Sequence, residues 1–359
     1  MLINLRFSYL SGIGMQFKIY LVLSFVLMVL LINPDNGNGI QVENPTFIEK
    51  SSNNSSNIPN TSCSVFTVEY NDSVFFGNNE DETGSRKNSR VWFVPASDNS
   101  TYGCAYFGFY DNLPGADDAD NLAIGGINTQ GLCFDTNGIQ LEYVDSNNPG
   151  PIRSRIRDWG VILRECASVK EVIQWHHNHN MGGYWGNQIH WADATGDAVV
   201  IGPRSNGWLS FTRKISTYLI STNFNLADYN LSDPNTYYPC SRYRTVQTLL
   251  NIYLSDDDLT IAHMRDILES VHFPRTSEYL GTVYSNIFDL ESRDIYLYIL
   301  GDYDQVYKLN LYEELEKGEH ELRITLNGSF SSKSTIGFEV LLCIICLILI
   351  TKFYKPKTG

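Results

Sequence analysis

With 359 residues, 43% of them hydrophobic, the chain can form one large domain or two modest ones and has enough apolar content to bury a core. Its formal charge of −14 and pI ≈ 4.9 argue against nucleic acid as a partner, since phosphate recognition needs clustered Lys and Arg and the sequence has neither stripe nor block of them. The acidic surface serves solubility.

In chain order, Lys18 precedes the apolar run IYLVLSFVLMVLLI (19–32), so residues 1–32 read as a signal peptide or N-terminal anchor. Residues 33–62 are rich in Asn, Ser and Pro without periodicity and read as a pro-segment or linker. Order begins at Cys63. The runs SVFTVEY and SVFF around the turn residues ND predict a β-hairpin, and NLAIGGI (121–127) and GLCFDT (131–136) predict two further strands. Helical spacing follows over 156–178, with Ser168-x-x-Glu171 as a capping box that opens a second helix. A hairpin around ATGD (187–203), a strand at 216–222, helices at 241–254 and 259–272, and a hairpin at 281–300 turning at ESR complete the pattern. Strands, then helices, then strands predict an α+β fold with antiparallel sheets, over a domain spanning 63–325. Residues 326–335 read as a linker.

The apolar stretch 336–351, interrupted by Glu339, reads with its flank as a transmembrane helix over 336–353. Lys352, Lys355 and Lys357 follow it, which assigns the short tail 354–359 to the cytoplasm and the main domain to the extracytoplasmic side. Cys343 and Cys346 fall inside this stretch, where packing or acylation is expected and not redox pairing. The other five cysteines, Cys63, Cys104, Cys133, Cys166 and Cys240, leave room for up to two disulfides and one free thiol, with the pairing open. Sequons at Asn53, Asn54, Asn60, Asn71, Asn99, Asn230 and Asn327 agree with export but carry little weight in so Asn-rich a chain.

A first hairpin with a loop of Asn71, Asp72 and Ser73 pairs its strands about residue 72, which sets Cys63 across from Asp81. A cysteine needs a base to act as a nucleophile. If Cys63 were the first residue of the mature chain, its own α-amine, with a pKa of about 8, would accept the thiol proton while a carboxylate fixed the amine. Removal of residues up to Ser62 would unmask that amine. Taken alone, a strand cysteine is more often a small buried hydrophobe.

The segment CSVFTVEYNDSVFFGNNED resembles the mature N-terminus of the N-terminal-nucleophile hydrolases of the choloylglycine hydrolase and penicillin V acylase type, and of the related acyl-coenzyme A:6-aminopenicillanic acid acyltransferases. GGINTQGLCFDTNG, IHWADATGDAVVI, LISTNF, SRYR and TVYSNIFDLESRDIYL resemble later segments of those families in the same order, over roughly 63–312. The resemblance implies a four-layer αββα sandwich and an enzyme that cleaves linear, non-peptide C–N amides through a thioester on Cys63. It further implies that Asp81 binds the freed amine, that the Asn223 side chain and the Asn137 backbone N–H bind the oxyanion, and that Arg242 holds the charge network. Asn78 stands where the bile-salt and penicillin V enzymes have Arg. The acyltransferase branch has a neutral amide there, so passage of the acyl group to an amine, or a non-catalytic cell-surface module with this fold, stays open beside hydrolysis.

The remaining clusters have plainer readings. His176, His177 and His179 lack a Cys or carboxylate at ligand spacing and read as a solvated helix end, so no metal is expected. DDADN (117–121) lacks the Gly and terminal Glu of a calcium loop, and SDDD (255–258) caps a helix. No cofactor is expected. The expected partners are a small N-acyl amide substrate and, through the C-terminal helix, a membrane, with a homo-oligomer left open.

Overall fold

The computed structural model describes residues 63–82, 89–109, 123–145, 152–153, 158–233, 236–256, 259–276, 281–324 and 330–333. The apolar runs at 19–32 and 336–351, the pro-segment and the tail lie outside them. Among the described residues no helix is long and apolar enough to cross a membrane.

The chain starts with β1 (Ser64–Tyr70) and β2 (Ser73–Glu82), joined by a two-residue turn in which Asn71 takes φ 52°. Asn tolerates this left-handed conformation better than most residues. The register runs Tyr70↔Ser73 to Ser64↔Asn79, so the next residue pair is Cys63 and Glu80. This corrects the sequence-based pairing of Cys63 with Asp81. One residue fewer in the loop brings the other carboxylate, on the other face of the strand, to the thiol.

Strands β3 (Ser89–Val94), β4 (Cys104–Phe109), β5 (Ala123–Asn128), β6 (Cys133–Val144) and β7 (Ile152–Arg153) follow. Next come helices α1 (Trp159–Glu165) and α2 (Val169–Asn178), then β8 (His179–Asn180), β9 (Gly183–Ala192), β10 (Ala198–Pro203), β11 (Leu209–Arg213) and β12 (Tyr218–Ser221). After α3 (Ser241–Ser255) and α4 (Ile261–Ser270) the chain returns as β13 (Gly281–Asp289), β14 (Asp294–Ile299) and β15 (Asp302–Asn310). Helix α5 (Leu311–Glu316) and strands β16 (His320–Ile324) and β17 (Phe330–Lys333) close the described chain. Strand β17 pairs with β16, so part of the segment read as a linker over 326–335 belongs to the sheet.

The strands form two large sheets. One has the order β12-β1-β2-β13-β14-β15 and the other β11-β10-β9-β6-β5-β4-β3-β16-β17, with antiparallel neighbours throughout. Their inner faces meet through aromatic pairs: Phe76 lies edge-on to His190 at 5.5 Å, and Phe107 meets Phe288 at 5.3 Å. Helices α3 and α4 cover the outer face of the first sheet and α1 packs on β4 and β5 of the second. The order of layers is therefore helix, sheet, sheet, helix.

Ser168 caps the helix as the sequence predicts, its Oγ accepting from the Glu171 amide at 3.3 Å, while the Glu171 carboxylate reaches one residue further back and accepts from the Ala167 amide at 2.6 Å. The ATGD turn adds to it from a distance, since Asp193 accepts from the Val169 amide at 2.8 Å. None of the five described cysteines forms a disulfide, which corrects the expectation of up to two among them. Four of the five are buried, and Cys133 and Cys166 pack within the apolar clusters. His176 is likewise buried and not a solvated cap, and burial lowers its pKa to about 4, while His179 stacks on Trp175 at 3.6 Å.

Candidate active site

Three sequence-predicted residues, Cys63, Asp81 and Asn223, converge on the guanidinium of a fourth, Arg242. Arg242 lies in the first turn of α3, directly over the start of β1. Its Nη1 donates to the Cys63 carbonyl at 2.9 Å and to Ser64 Oγ at 2.8 Å, and its Nη2 donates to Asn223 Oδ1 at 2.8 Å. Nη1 also lies 3.7 Å from Asp81 Oδ2. A planar, always charged fork suits such a junction, because each N–H has a fixed direction.

Asp81 projects from β2 toward the helices. Thr282 Oγ1 donates to its Oδ1, while Oδ2 accepts no hydrogen bond and faces Arg242. Burial raises its pKa to about 7, against the lowering effects of Thr282 and Arg242. The carboxylate therefore sits in a site that does not fully compensate its charge.

Cys63 is 2% exposed, and its thiol points the other way, into the space between the sheets. Sγ donates to Glu80 Oε2 at 3.4 Å. Burial pushes the thiol pKa well up, and the charges of Glu80 and Asp81 add to this. Glu80 and Asp135 are also buried, and burial raises both; the Asp135 charge raises Glu80 further. Asp135 Oδ1 accepts from the Thr136 amide at 2.7 Å, and Oδ2 has no hydrogen-bond partner. Gly125 on β5 makes room for that oxygen, since a Cβ there would collide with it. The Tyr284 hydroxyl, opposite Glu80 on β13, is buried and also without a partner.

The two predicted oxyanion residues are adjacent in space. Asn223 Nδ2 donates to the Gly138 carbonyl at 2.9 Å, one residue past Asn137, so one of its two N–H donors is occupied in this structure. Asn137 pairs with Gln188 on one side, and on the other side the β5 ladder ends at Asp135. Its side-chain oxygen accepts from Ser221 Oγ at 2.6 Å.

Behind Asn137 lies a relay that sequence reasoning missed. Ser221 has one proton and gives it to Asn137, so the 2.9 Å contact between His190 Nδ1 and Ser221 Oγ requires Nδ1 to carry a proton. Burial lowers the His190 pKa to about 3, so the ring is neutral and Nε2 accepts from Thr67 Oγ1 at 3.0 Å. Hydrogen bonds then run in one direction from β1 through β9 and β12 to β6. Glu80 and Asp135 were missed as well. The signal for Glu80 was a run of four polar residues, Asn78 to Asp81, in a buried strand, and that for Asp135 was a lone acid after the apolar GLCF that leads into β6. Asn78 Nδ2 donates to Asn286 Oδ1 at 3.3 Å, and Asn78 Oδ1 has no partner.

No protein-family model matches the chain, and no curated protein sequence does either. Solved structures do. Two variants of the conjugated bile acid hydrolase from Clostridium perfringens align with TM-scores of 0.57 and 0.56, each 17% identical. They cover 77% and 76% of this chain and 100% and 99% of their own. Penicillin V acylase from Agrobacterium tumefaciens aligns with a TM-score of 0.52 at 14% identity, covering 76% of this chain and 98% of its own. The two antiparallel sheets and their flanking helices are therefore the N-terminal-nucleophile hydrolase fold, the one that bile acid hydrolase and penicillin V acylase share.

Proposed function

We propose that the chain is a cysteine amidase of the N-terminal-nucleophile type, which hydrolyses linear, non-peptide C–N amide bonds once the Ser62–Cys63 bond has been cut. The supporting observation is the Arg242 junction, which ties the Cys63 carbonyl, Asp81 and Asn223 to one cation.

In the cut chain the Cys63 α-amine takes the thiol proton and Sγ attacks the substrate carbonyl. Asp81, across the guanidinium, orients the ammonium, and the new positive charge favours its ionised form. The tetrahedral oxyanion draws on the Asn137 N–H and the Asn223 amide, which exchanges its bond to Gly138 for the stronger, charge-assisted one. The ammonium returns the proton to the departing nitrogen, leaving a thioester, and water then releases the acid. The domain works on the extracytoplasmic side of a membrane, held by the apolar segment at 336–351.

Neutral Asn78 supports a second reading, an acyltransferase that passes the acyl group to an amine. The test is turnover of a panel of N-acyl amides with and without an added amine, by wild type and Cys63→Ser. Free acid formed only by wild type supports the amidase. Acyl-amine product as the main species supports the transferase, and a folded, matured wild type with neither activity leaves only the non-catalytic surface module.

A further inference from the structure

Between the sheets the packed layer changes character toward Cys63. Phe76 and Phe288 stack at 5.7 Å on the inner faces of β2 and β13, and two residues along each strand Asn78 faces Asn286. Two further on, Glu80 faces Tyr284, with the Cys63 thiol 3.4 Å from Glu80 Oε2. Asp135 joins from the other sheet, where its ladder partners are Gly125 and His190. The charges that act on Glu80 are those of Asp135, Asp81 and Glu82, all acidic, and His190 is neutral.

Buried acids without a countercharge are costly, and the remedies are a bound proton or a cation. Atoms that could receive a cation are open here. Asp135 Oδ2 and the Tyr284 hydroxyl have no hydrogen-bond partner, on residues 1% and 0% exposed, and the Tyr284 hydroxyl feels the charges of both Glu80 and Asp135. A Cβ on Gly125 would collide with Asp135 Oδ2, so glycine there keeps that oxygen uncovered. Among the described residues no group of three or more His, Cys, Asp and Glu side chains is placed to hold a metal ion, which turns the reading to an organic cation.

We propose that Glu80 and Asp135, with the Tyr284 hydroxyl, form a subsite for a protonated primary amine close to the scissile carbonyl, so that the chain prefers N-acyl amides that carry an ammonium. The inference rests on the reading of Cys63 as the nucleophile, because a carbonyl that reaches Sγ brings its neighbouring atoms alongside Glu80. An ammonium has three donors, enough for one oxygen of each carboxyl and the tyrosine oxygen. Its charge takes the place of a proton that burial otherwise keeps on the acids, so the layer is neutralised by charge-assisted hydrogen bonds.

The experiment uses the full chain and two pairs of amides, with released acid measured by mass spectrometry. The 3-aminopropanoyl and butanoyl amides of benzylamine exchange an ammonium for a methyl group on the acyl side. The butanoyl amides of 1,2-diaminoethane and propylamine do the same on the amine side. In one pair the ammonium member should have a kcat/KM at least about tenfold higher, as a hydrogen bond to a charged group allows, and that pair identifies the side. Glu80→Gln and Asp135→Asn, with folds checked by thermal unfolding, should each cut this ratio at least about fivefold. A structural role, or a role in holding the Cys63 amine, would instead slow both members alike and leave the ratio unchanged. Binding of the same amides to the full-length Cys63→Ser chain, by calorimetry, gives a readout that needs no turnover. Equal rates and equal binding within both pairs, or a preference that survives both substitutions, would overturn the proposal. Turnover without any ammonium preference overturns the subsite alone. Selective binding without turnover by wild type overturns the proposed function and keeps the subsite.

Discussion

Asp81 and Glu80 are neighbours on one strand, both buried, and they face opposite worlds. Asp81 looks toward the helices and has a cation and a hydroxyl donor; Glu80 looks between the sheets and has a thiol and other acids. Cys63 joins the two, with its carbonyl bound to Arg242 on one side and its thiol against Glu80 on the other. The difference teaches that the same residue chemistry is divided by strand parity into two jobs. The helix side places a carboxylate against a cation, and the sheet side gathers buried acids with no cation among them.

The largest break in that comparison is Cys63→Ser, which removes the thiol on the sheet side and keeps the carbonyl that Arg242 holds. Turnover should fall at least about 10⁴-fold and maturation should stop or slow greatly. Cys166→Ser, at the end of α1 and remote in the sequence from these residues, should keep its chemistry. A folded but inactive Cys166→Ser would mean that the wrong thiol has been chosen.

Next comes Asp81→Asn, read as stability against pH. Asp81 has a folded pKa of about 7 against about 3.9 unfolded, so the fold favours its protonated form. The sign follows: its contribution is full below pH 3.9 and is lost as pH rises through 7, on the order of 4 kcal/mol in total. Denaturant titrations from pH 4 to 8 should show this loss in the uncut wild type and a flatter profile in Asp81→Asn. A steeper decline in the variant would contradict the assignment.

Asn223→Ala tests whether the helix side stabilises charge that exists only in the transition state. Turnover should fall about 100- to 1000-fold with KM little changed. A raised KM with unchanged turnover would make Asn223 a binding residue.

The smallest effect belongs to the relay on the sheet side. His190→Gln disturbs the orientation of Asn137 without removing its backbone donor, so turnover should fall about tenfold. Because the ring is neutral down to about pH 3, the ratio of variant to wild type should stay flat from pH 5 to 8. A ratio that varies over this range would show that His190 itself titrates in the reaction.

Much of this was legible in the sequence. Alternation and turn residues located β1, β2, β9, β10, β13 and β14, and helical spacing located α1 to α4. The continuous apolar runs of β3 and β4 were missed, because strands buried on both faces lose the period-two signal. Cys63, Asp81, Asn223 and Arg242 were named through ordered motifs, and the fold does gather them. The register was not legible. YNDS allows a two- or a three-residue loop, and that single residue decides whether Asp81 or Glu80 meets the thiol. The His190–Ser221–Asn137 relay was hidden for a different reason, since its members come from three strands and meet only when the sheets stack.

The central claim is that Cys63 becomes the first residue of the working enzyme. Intact-mass and N-terminal peptide analysis of the full chain, purified and shown to turn over an N-acyl amide, tests it most directly. The account predicts an active species that begins at Cys63, with a free α-amine and a free thiol. An equally active, folded species that retains the Ser62–Cys63 bond would contradict it.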